Sequence, residues 1–101
     1  YISVTGVQTC ALPIFWTAHT GTGNMYISGL PFTPNSTANI EWTTVPEFFN
    51  MTMPASTTPL AAITASTARI YLYSQAVGSG TASGLTMDTA ASVYASMTYM
   101  V

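Results

Sequence analysis

The residues that could perform acid–base or nucleophilic catalysis are few in this chain and lie far apart. There is one histidine, His19, and there are three carboxylates, Glu41, Glu47 and Asp88. His19 stands in the segment WTAHTGTG, just before a predicted turn, and none of the ten serines lies in a GxSxG motif. Serine, histidine and aspartate are all present, but no motif in the sequence indicates that they form a catalytic triad. The sequence therefore favours a turn role for His19 and predicts no catalytic residues.

A carboxylate pair and a metal site are equally poorly supported. Glycoside hydrolysis needs two carboxyl groups at a set separation, but Glu41 lies inside a predicted strand while Glu47 follows Pro46 at a strand end. One histidine with three carboxylates supplies too few ligands for zinc, and no DxDxDG calcium loop occurs. The Gly-rich segment VGSGTASG lacks the lysine of a phosphate-binding loop. We therefore predict no enzyme activity, no cofactor and no metal.

The composition excludes further classes of partner. Charged residues make up 4% of the 101 residues, against roughly 25% in an average soluble protein. One arginine and no lysine cannot neutralise a phosphate backbone, so we predict no nucleic-acid binding. No apolar run reaches the roughly 20 residues that a membrane helix needs, so we predict no membrane insertion. A single cysteine excludes an internal disulfide.

The hydrophobic pattern predicts an all-β chain. Apolar and polar residues alternate in five runs, 25–28, 40–45, 49–53, 69–73 and 93–101, and segments rich in Gly, Pro and Asn separate them. Such alternation is typical of half-buried strands, and the spacing of the turn signals suits an antiparallel β-sandwich, which we expect to be jelly-roll-like and incomplete at the N-terminus. Two stretches, 59–66 and 88–92, could instead form short helices, but their β-branched neighbours argue against this.

The same alternation predicts which side chains form the core. The residues expected to be buried are Ile27, Leu30, Phe32, Trp42, Ile70, Leu72, Val93 and Met97. The residues expected to be exposed are Glu41, Arg69 and Asp88. A sheet whose outward positions carry hydroxyl groups rather than charges lacks the edge charges that block strand pairing, so we expect a homo-oligomer.

Aromatic and loop residues are the best candidates for ligand contact. The aromatic residues that could either stack on sugar rings or fill the core are Trp16, Trp42, Tyr71, Tyr73, Tyr94 and Tyr99. Because aromatic rings dominate core burial, we assign Trp42 and Tyr99 to the core. Loops carry binding on β scaffolds, so we expect the ligand-contact loops to include Asn35, Ser36, Ser79 and Ser83.

The beginning of the chain resembles a sequencing artefact. Residues 4–14 read VTGVQTCALPI, which is similar to the translation of an Illumina-type sequencing adapter. The resemblance implies that residues 1–14 form no domain and add no specific core packing. It also implies that Cys10 carries no redox or catalytic information. Residues 15–101 are then expected to be the C-terminal β-sandwich fragment of a longer protein.

The remainder resembles the C-terminal β domain of bacteriophage and prophage tail-fibre or virion proteins. The segment GNMYISGLPFTPNS, residues 23–36, carries the GLPFT-type element, and a strand at 68–74, a Gly/Ser-rich loop at 77–84 and a closing strand at 92–101 follow it. The resemblance implies a non-catalytic structural or host-attachment role in a virion, with host glycans or proteins as partners and a trimer as the usual assembly. A carbohydrate-binding module of a secreted bacterial protein is the alternative, and a glycan-hydrolysing fragment is the third.

Overall fold

The computed structural model describes residues 7–18, 21–38, 40–88 and 90–101, with the backbone alone at positions 7, 8, 10 and 12. These residues contain eight β-strands and no helix. In chain order the strands are β1 (Val7–Trp16), β2 (Tyr26–Ser28), β3 (Glu41–Thr44), β4 (Glu47–Phe49), β5 (Thr57–Thr64), β6 (Arg69–Ala76), β7 (Ala82–Gly84) and β8 (Ala91–Met100).

The strands form two antiparallel sheets that pack on each other. The small sheet has the order β1-β8-β4, and the large sheet has the order β2-β6-β5-β3. Strand β7 also belongs to the large sheet, where it pairs with β6 on the side that β2 occupies farther along. The predicted all-β antiparallel sandwich is confirmed.

Strands β2 and β7 meet end to end along β6, and three buried residues join them there. The amide of Met25 donates to the carbonyl of Leu85 (2.6 Å), the amide of Leu85 donates to the carbonyl of Leu72 (3.0 Å), and the amide of Leu72 donates to the carbonyl of Met25 (3.3 Å). Buried backbone groups need such partners, since an unsatisfied one costs about 1–3 kcal/mol. These three hydrogen bonds form a closed set, so the short strands β2 and β7 can both pair along the same side of the longer strand β6.

The core lies between the two sheets and follows from the alternation along β6 and β8. Strand β6 contributes Ile70 and Leu72, and β8 contributes Val93, Met97 and Tyr99, each at most 1% exposed. Ile70, Leu72, Val93 and Met97 were predicted to be buried, and this is confirmed. Glu41 and Arg69 are exposed, as predicted. Ile27, Leu30 and Trp42 were also predicted to be buried, but they are only half-buried and pack against the edge of the core.

Two of the burial predictions are wrong, and both fall on loop residues. Phe32 is 36% exposed. Its backbone carbonyl nevertheless accepts a hydrogen bond from the hydroxyl of the buried Tyr99 (3.0 Å). Asp88 is half-buried rather than exposed. Its carboxylate accepts a hydrogen bond from the amide of Thr52, and its carbonyl accepts one from the indole of Trp16 (2.8 Å). Alternation describes strands and does not extend to residues beyond a strand end.

The stretch 59–66, considered above as a short helix, mostly belongs to β5, an inner strand of the large sheet. Ala61, Ala62 and Ile63 are buried there, so burial between neighbouring strands outweighs the helix preference of alanine. Pro59 lies inside this strand, at a position paired with Ser74 of β6, whereas β3 pairs only with positions 61–64. Proline is tolerated at such a position because the strand has a neighbour on one side only. In the other stretch, residues 91 and 92 belong to β8 and Thr89 lies outside the described residues.

The chain start takes part in the small sheet. Strand β1 pairs with β8 over ten positions, from Val7 opposite Met100 to Trp16 opposite Ala91, and Ile14 packs half-buried against the core. The expectation that residues 1–14 add no specific packing is wrong for this part, while residues 1–6 lie outside the described residues. The adapter origin of this stretch stays a prediction.

We predict that the hydroxyl of Tyr99 stabilises the corner after β2. Tyr99→Phe should lower the free energy of unfolding by about 1–2 kcal/mol, because the Phe32 carbonyl loses a donor. The control is Tyr94→Phe, which changes an outward-facing residue of the same strand and should cost less than about 0.5 kcal/mol. Urea unfolding measures both. Equal losses in the two variants would contradict the role of the Tyr99 hydrogen bond.

We also predict that position 84 requires a glycine, because the side chain of Asn24 approaches the backbone there closely. A Cβ atom at Gly84 would overlap with the amide group of the Asn24 side chain, whereas one at Gly80 would meet nothing. Gly84→Ala should therefore destabilise the fold by about 1 kcal/mol, and Gly80→Ala by less than about 0.5 kcal/mol.

A double-mutant cycle identifies the cause. In the Asn24→Ala background the cost of Gly84→Ala should disappear, because the overlapping group has been removed. If Gly84→Ala costs the same with and without the Asn24 side chain, the overlap is not its cause. Thermal unfolding followed by circular dichroism suffices for all four proteins.

Candidate functional site

The loop residues proposed as ligand contacts lie at two opposite ends of the large sheet. Asn35 is beside the β5–β6 turn, where its carbonyl accepts a hydrogen bond from the amide of Ser66 (3.2 Å), and Ser36 follows it. Ser79 is at the other end of β6, where its amide donates to the carbonyl of Ala76 (3.0 Å). An eight-residue strand spans about 26 Å at roughly 3.3 Å per residue. One small ligand cannot contact both ends.

The polar groups at these two ends build their own turns. The Asn35 Oδ1 accepts hydrogen bonds from the Thr37 amide (2.9 Å) and the Thr37 hydroxyl (2.6 Å). The Ser79 Oγ accepts one from the Thr81 amide (3.1 Å). Ser83 belongs to β7, where it pairs with Ser74. The side chains of Asn35 and Ser79 thus accept hydrogen bonds that stabilise their own turns. Their role as ligand contacts stays a prediction.

A row of tyrosines crosses the outer face of the large sheet. Because Ile70 and Leu72 of β6 point into the core, Tyr71 and Tyr73 point outward. Tyr26 of β2 pairs with Tyr71, and their ring centres are 6.1 Å apart. The rings of Tyr71 and Tyr73 are stacked, with centres 6.3 Å apart and 30° between their planes. We call Tyr26, Tyr71 and Tyr73 the tyrosine row.

Neighbouring residues cover the tyrosine row in part. Ala62 of β5 pairs with Tyr71 on the same face and is 2% exposed. Gly84 of β7 pairs with Tyr73, and the Asn24 side chain fills the space where a Cβ atom of Gly84 would lie. Tyr26 is 47% exposed and Tyr71 and Tyr73 are half-buried. The rings therefore form a shallow aromatic surface rather than part of the core.

Two charged side chains lie near the tyrosine row. Arg69, the first residue of β6, is exposed, and its Cζ atom lies 4.6 Å from the ring centre of Tyr26, within range of a cation–π interaction. At Tyr73 the pKa of the phenol is raised by burial, by the negative charge of Glu41 and by Tyr71. The registers of β3 with β5 and of β5 with β6 place Glu41 level with Arg69, two strands away, so both charges lie at the Arg69 end of β6.

The other aromatic residues have different positions. Tyr99 is buried and Trp42 packs half-buried against the core, as predicted. Trp16 is also half-buried and donates to the Asp88 carbonyl. Tyr94 is on the outer face of the small sheet, edge-on to Phe49 with ring centres 5.8 Å apart. Among the described residues, only the tyrosine row places several partly exposed rings beside a cation.

The carboxylates are not brought together. Glu41 belongs to β3 in the large sheet, and Glu47 belongs to β4 in the small sheet, so the chain changes sheets between them. Among the described residues there is no group of three or more His, Cys, Asp and Glu side chains that could hold a metal ion. His19 lies outside the described residues.

Sequence reasoning named Tyr71 and Tyr73 but missed Tyr26 and Arg69 as site residues. The alternation around 25–28 already placed Tyr26 opposite to Met25 and Ile27. What it could not supply was the pairing of β2 with β6, which places Tyr26 beside Tyr71 and Ser28 beside Arg69. Pairing partners are distant in sequence, so no local signal identifies them.

Comparisons with protein-family models, with curated proteins and with solved structures found no match to this chain. In the described part of the chain, no helix is long and apolar enough to cross a membrane. The functional argument therefore rests on the geometry of the site itself.

We predict that Tyr73 makes the fold sensitive to alkaline pH. Its folded-state pKa lies above the ordinary value of about 10, so the protein resists ionisation of this phenol. The corresponding stability is fully present below about pH 10 and is lost as the pH rises through the raised folded-state pKa. The free energy of unfolding, measured in urea between about pH 8 and pH 11.5, should fall at the upper end of that range.

Two variants test this assignment. Tyr73→Phe should flatten the fall, because the ionisable group is gone. Glu41→Gln should flatten it partly, because the negative charge is removed but the burial of the phenol remains. An equally steep fall in Tyr73→Phe would assign the pH dependence to other groups.

Proposed function

We propose that this chain is a non-catalytic binding domain of a phage tail fibre or related virion protein, and that it binds glycans on the host surface. The observation that carries the proposal is the tyrosine row, in which three neighbouring rings lie accessible on one sheet face. The resemblance of the GLPFT-type element to virion domains supplies the biological setting. The expected location is the virion.

Sugar recognition is the chemistry that best fits this surface. The apolar face of a sugar ring can stack on an aromatic ring, while its hydroxyl groups form hydrogen bonds with polar side chains around it. The tyrosine row offers ring faces and phenol hydroxyls together, and Arg69 adds donors at one end. A shallow surface of this kind buries little ligand area, so one site is expected to bind weakly.

Weak sites become effective when several copies act together, which connects the proposed function to assembly. Linked copies raise the overall affinity without any new contact. The outer face of the small sheet carries Phe15, Phe49 and Tyr94, which are 77%, 51% and 45% exposed. Exposed apolar residues on one face are typical of an association surface. We therefore propose a homo-oligomer, with a trimer as the form that the resemblance to fibre domains implies.

The second candidate function is a carbohydrate-binding module of a secreted bacterial protein. The same tyrosine row supports it, because stacking does not depend on where the domain is displayed. The two candidates differ in assembly, since fibre domains are usually trimers and binding modules are usually monomers. Sedimentation equilibrium of the purified chain separates them.

The binding test compares two tyrosines on opposite sheets. On a glycan array and then by titration, Tyr71→Ala should weaken binding about tenfold, because the central ring of the row is lost. Tyr94→Ala removes a half-exposed tyrosine of the proposed association surface, so it should leave the affinity for a monovalent glycan in titration unchanged and lower only the avidity on the array.

Two outcomes would overturn the proposal. One is equal affinity of the two variants in titration, or no glycan bound by the wild-type chain. The other is hydrolysis of a bound glycan that Glu47→Gln abolishes, which would make the chain an enzyme.

A further inference from the structure

The positive charge of Arg69, at one end of the tyrosine row, indicates which chemical group the ligand carries. Arg69 is the only arginine, and there is no lysine, so this side chain is the only one in the sequence that always carries a positive charge. It lies at the Tyr26 end of the row and is exposed. A chain with so few charges thus places its one permanent cation beside a group of partly exposed aromatic rings.

Arg69 is held in place but is not neutralised. Its guanidinium contacts the Tyr26 ring, and within the described residues no carboxylate forms an ion pair with it. Glu41 of β3 lies level with Arg69, with β5 between them, at a backbone separation of about two strand spacings, or about 10 Å. No ion pair joins the two side chains. The N–H groups of the guanidinium therefore stay available on an exposed face.

We infer that the tyrosine row binds a carboxylated sugar, with the carboxylate on Arg69 and the sugar rings over Tyr26 and Tyr71. This inference rests on the proposed function and specifies its ligand. The planar guanidinium matches a carboxylate with two parallel hydrogen bonds, a geometry that lysine cannot offer. Its contact with Tyr26 also lowers the cost of ordering a long side chain when the ligand binds.

Arg69 also sets the direction of the ligand. Tyr71 and Tyr73 follow Arg69 along β6 in steps of two residues on the same face, so a ligand whose carboxylate is on Arg69 extends along the sheet toward Tyr73. The ligand is therefore a glycan with its acidic residue at the Arg69 end and neutral rings toward Tyr73. Sialosides and glucuronosides that carry a single terminal acidic residue have this chemistry.

The experiment uses a glycan array in which each sialoside and glucuronoside is printed beside its own methyl ester. The acid and the ester share their rings and differ in charge, so their ratio isolates the contribution of the carboxylate. The wild-type chain should bind the best acid about fivefold more tightly than its ester. Raising NaCl from about 0.05 M to about 0.5 M should shrink that ratio, because an exposed ion pair is screened.

Variants of Arg69 and Tyr71 complete the design. Arg69→Gln should bind the acid and the ester equally, and Arg69→Lys should keep only part of the preference. Tyr71→Ala should weaken acid and ester alike. Circular dichroism checks that each variant is folded.

The failures of the two proposals are distinguishable. If glycans bind and Tyr71→Ala weakens them, but acid and ester bind equally, the inference about the carboxylate is wrong and the proposed function stands. A preference for the acid that survives in Arg69→Gln overturns the inference in the same way. If the wild-type chain binds neither acids, esters nor neutral glycans, the proposed function fails and the inference fails with it.

Discussion

The packing of β8 against β6 is the interaction on which the rest of the molecule depends. Val93, Met97 and Tyr99 from one sheet meet Ile70 and Leu72 from the other, and these are among the most completely buried side chains of the described residues. Fully burying one such side chain contributes about 1.5–3 kcal/mol. With so few charges in the sequence, apolar contact and backbone pairing hold the two sheets together. Strands β1 and β4 both pair with β8, so the whole small sheet depends on this contact.

The same contact creates the candidate site. Side chains alternate along a strand, so burying Ile70 and Leu72 forces Arg69, Tyr71 and Tyr73 to the outer face. A shift of one residue in the register of β6 would bury the tyrosines and expose the core residues together. Core and site are thus two faces of one strand, and any change that weakens the register of β6 is expected to affect stability and binding at once.

The near absence of charge shapes the surface in two ways. Arg69 is the only permanently charged cation in the sequence, so no other Lys or Arg side chain competes with it for an anionic ligand. The near absence of charge also leaves the small sheet with an outer face where Phe15, Phe49 and Tyr94 are exposed and few charges oppose self-association. The proposed sugar binding and the proposed assembly into oligomers are therefore linked, since repeated copies would supply the avidity that one shallow site lacks.

The sequence by itself determined the all-β class and the inward faces of the two strands that form the core. Alternation is a local property with a period of two, and it can be read wherever one face of a strand is buried, as at 69–73 and 93–101. It failed where the local signal ends: at Phe32 and Asp88 beyond the strands, and at 59–66, where alanines permitted a helix. Only the tertiary structure decided that Tyr26 lies beside Tyr71 and that Arg69 contacts Tyr26. Those neighbours are more than forty positions apart in the chain, and they meet because backbone hydrogen bonds between β2 and β6 bring them together, a pairing that depends on the whole sheet and on no local pattern.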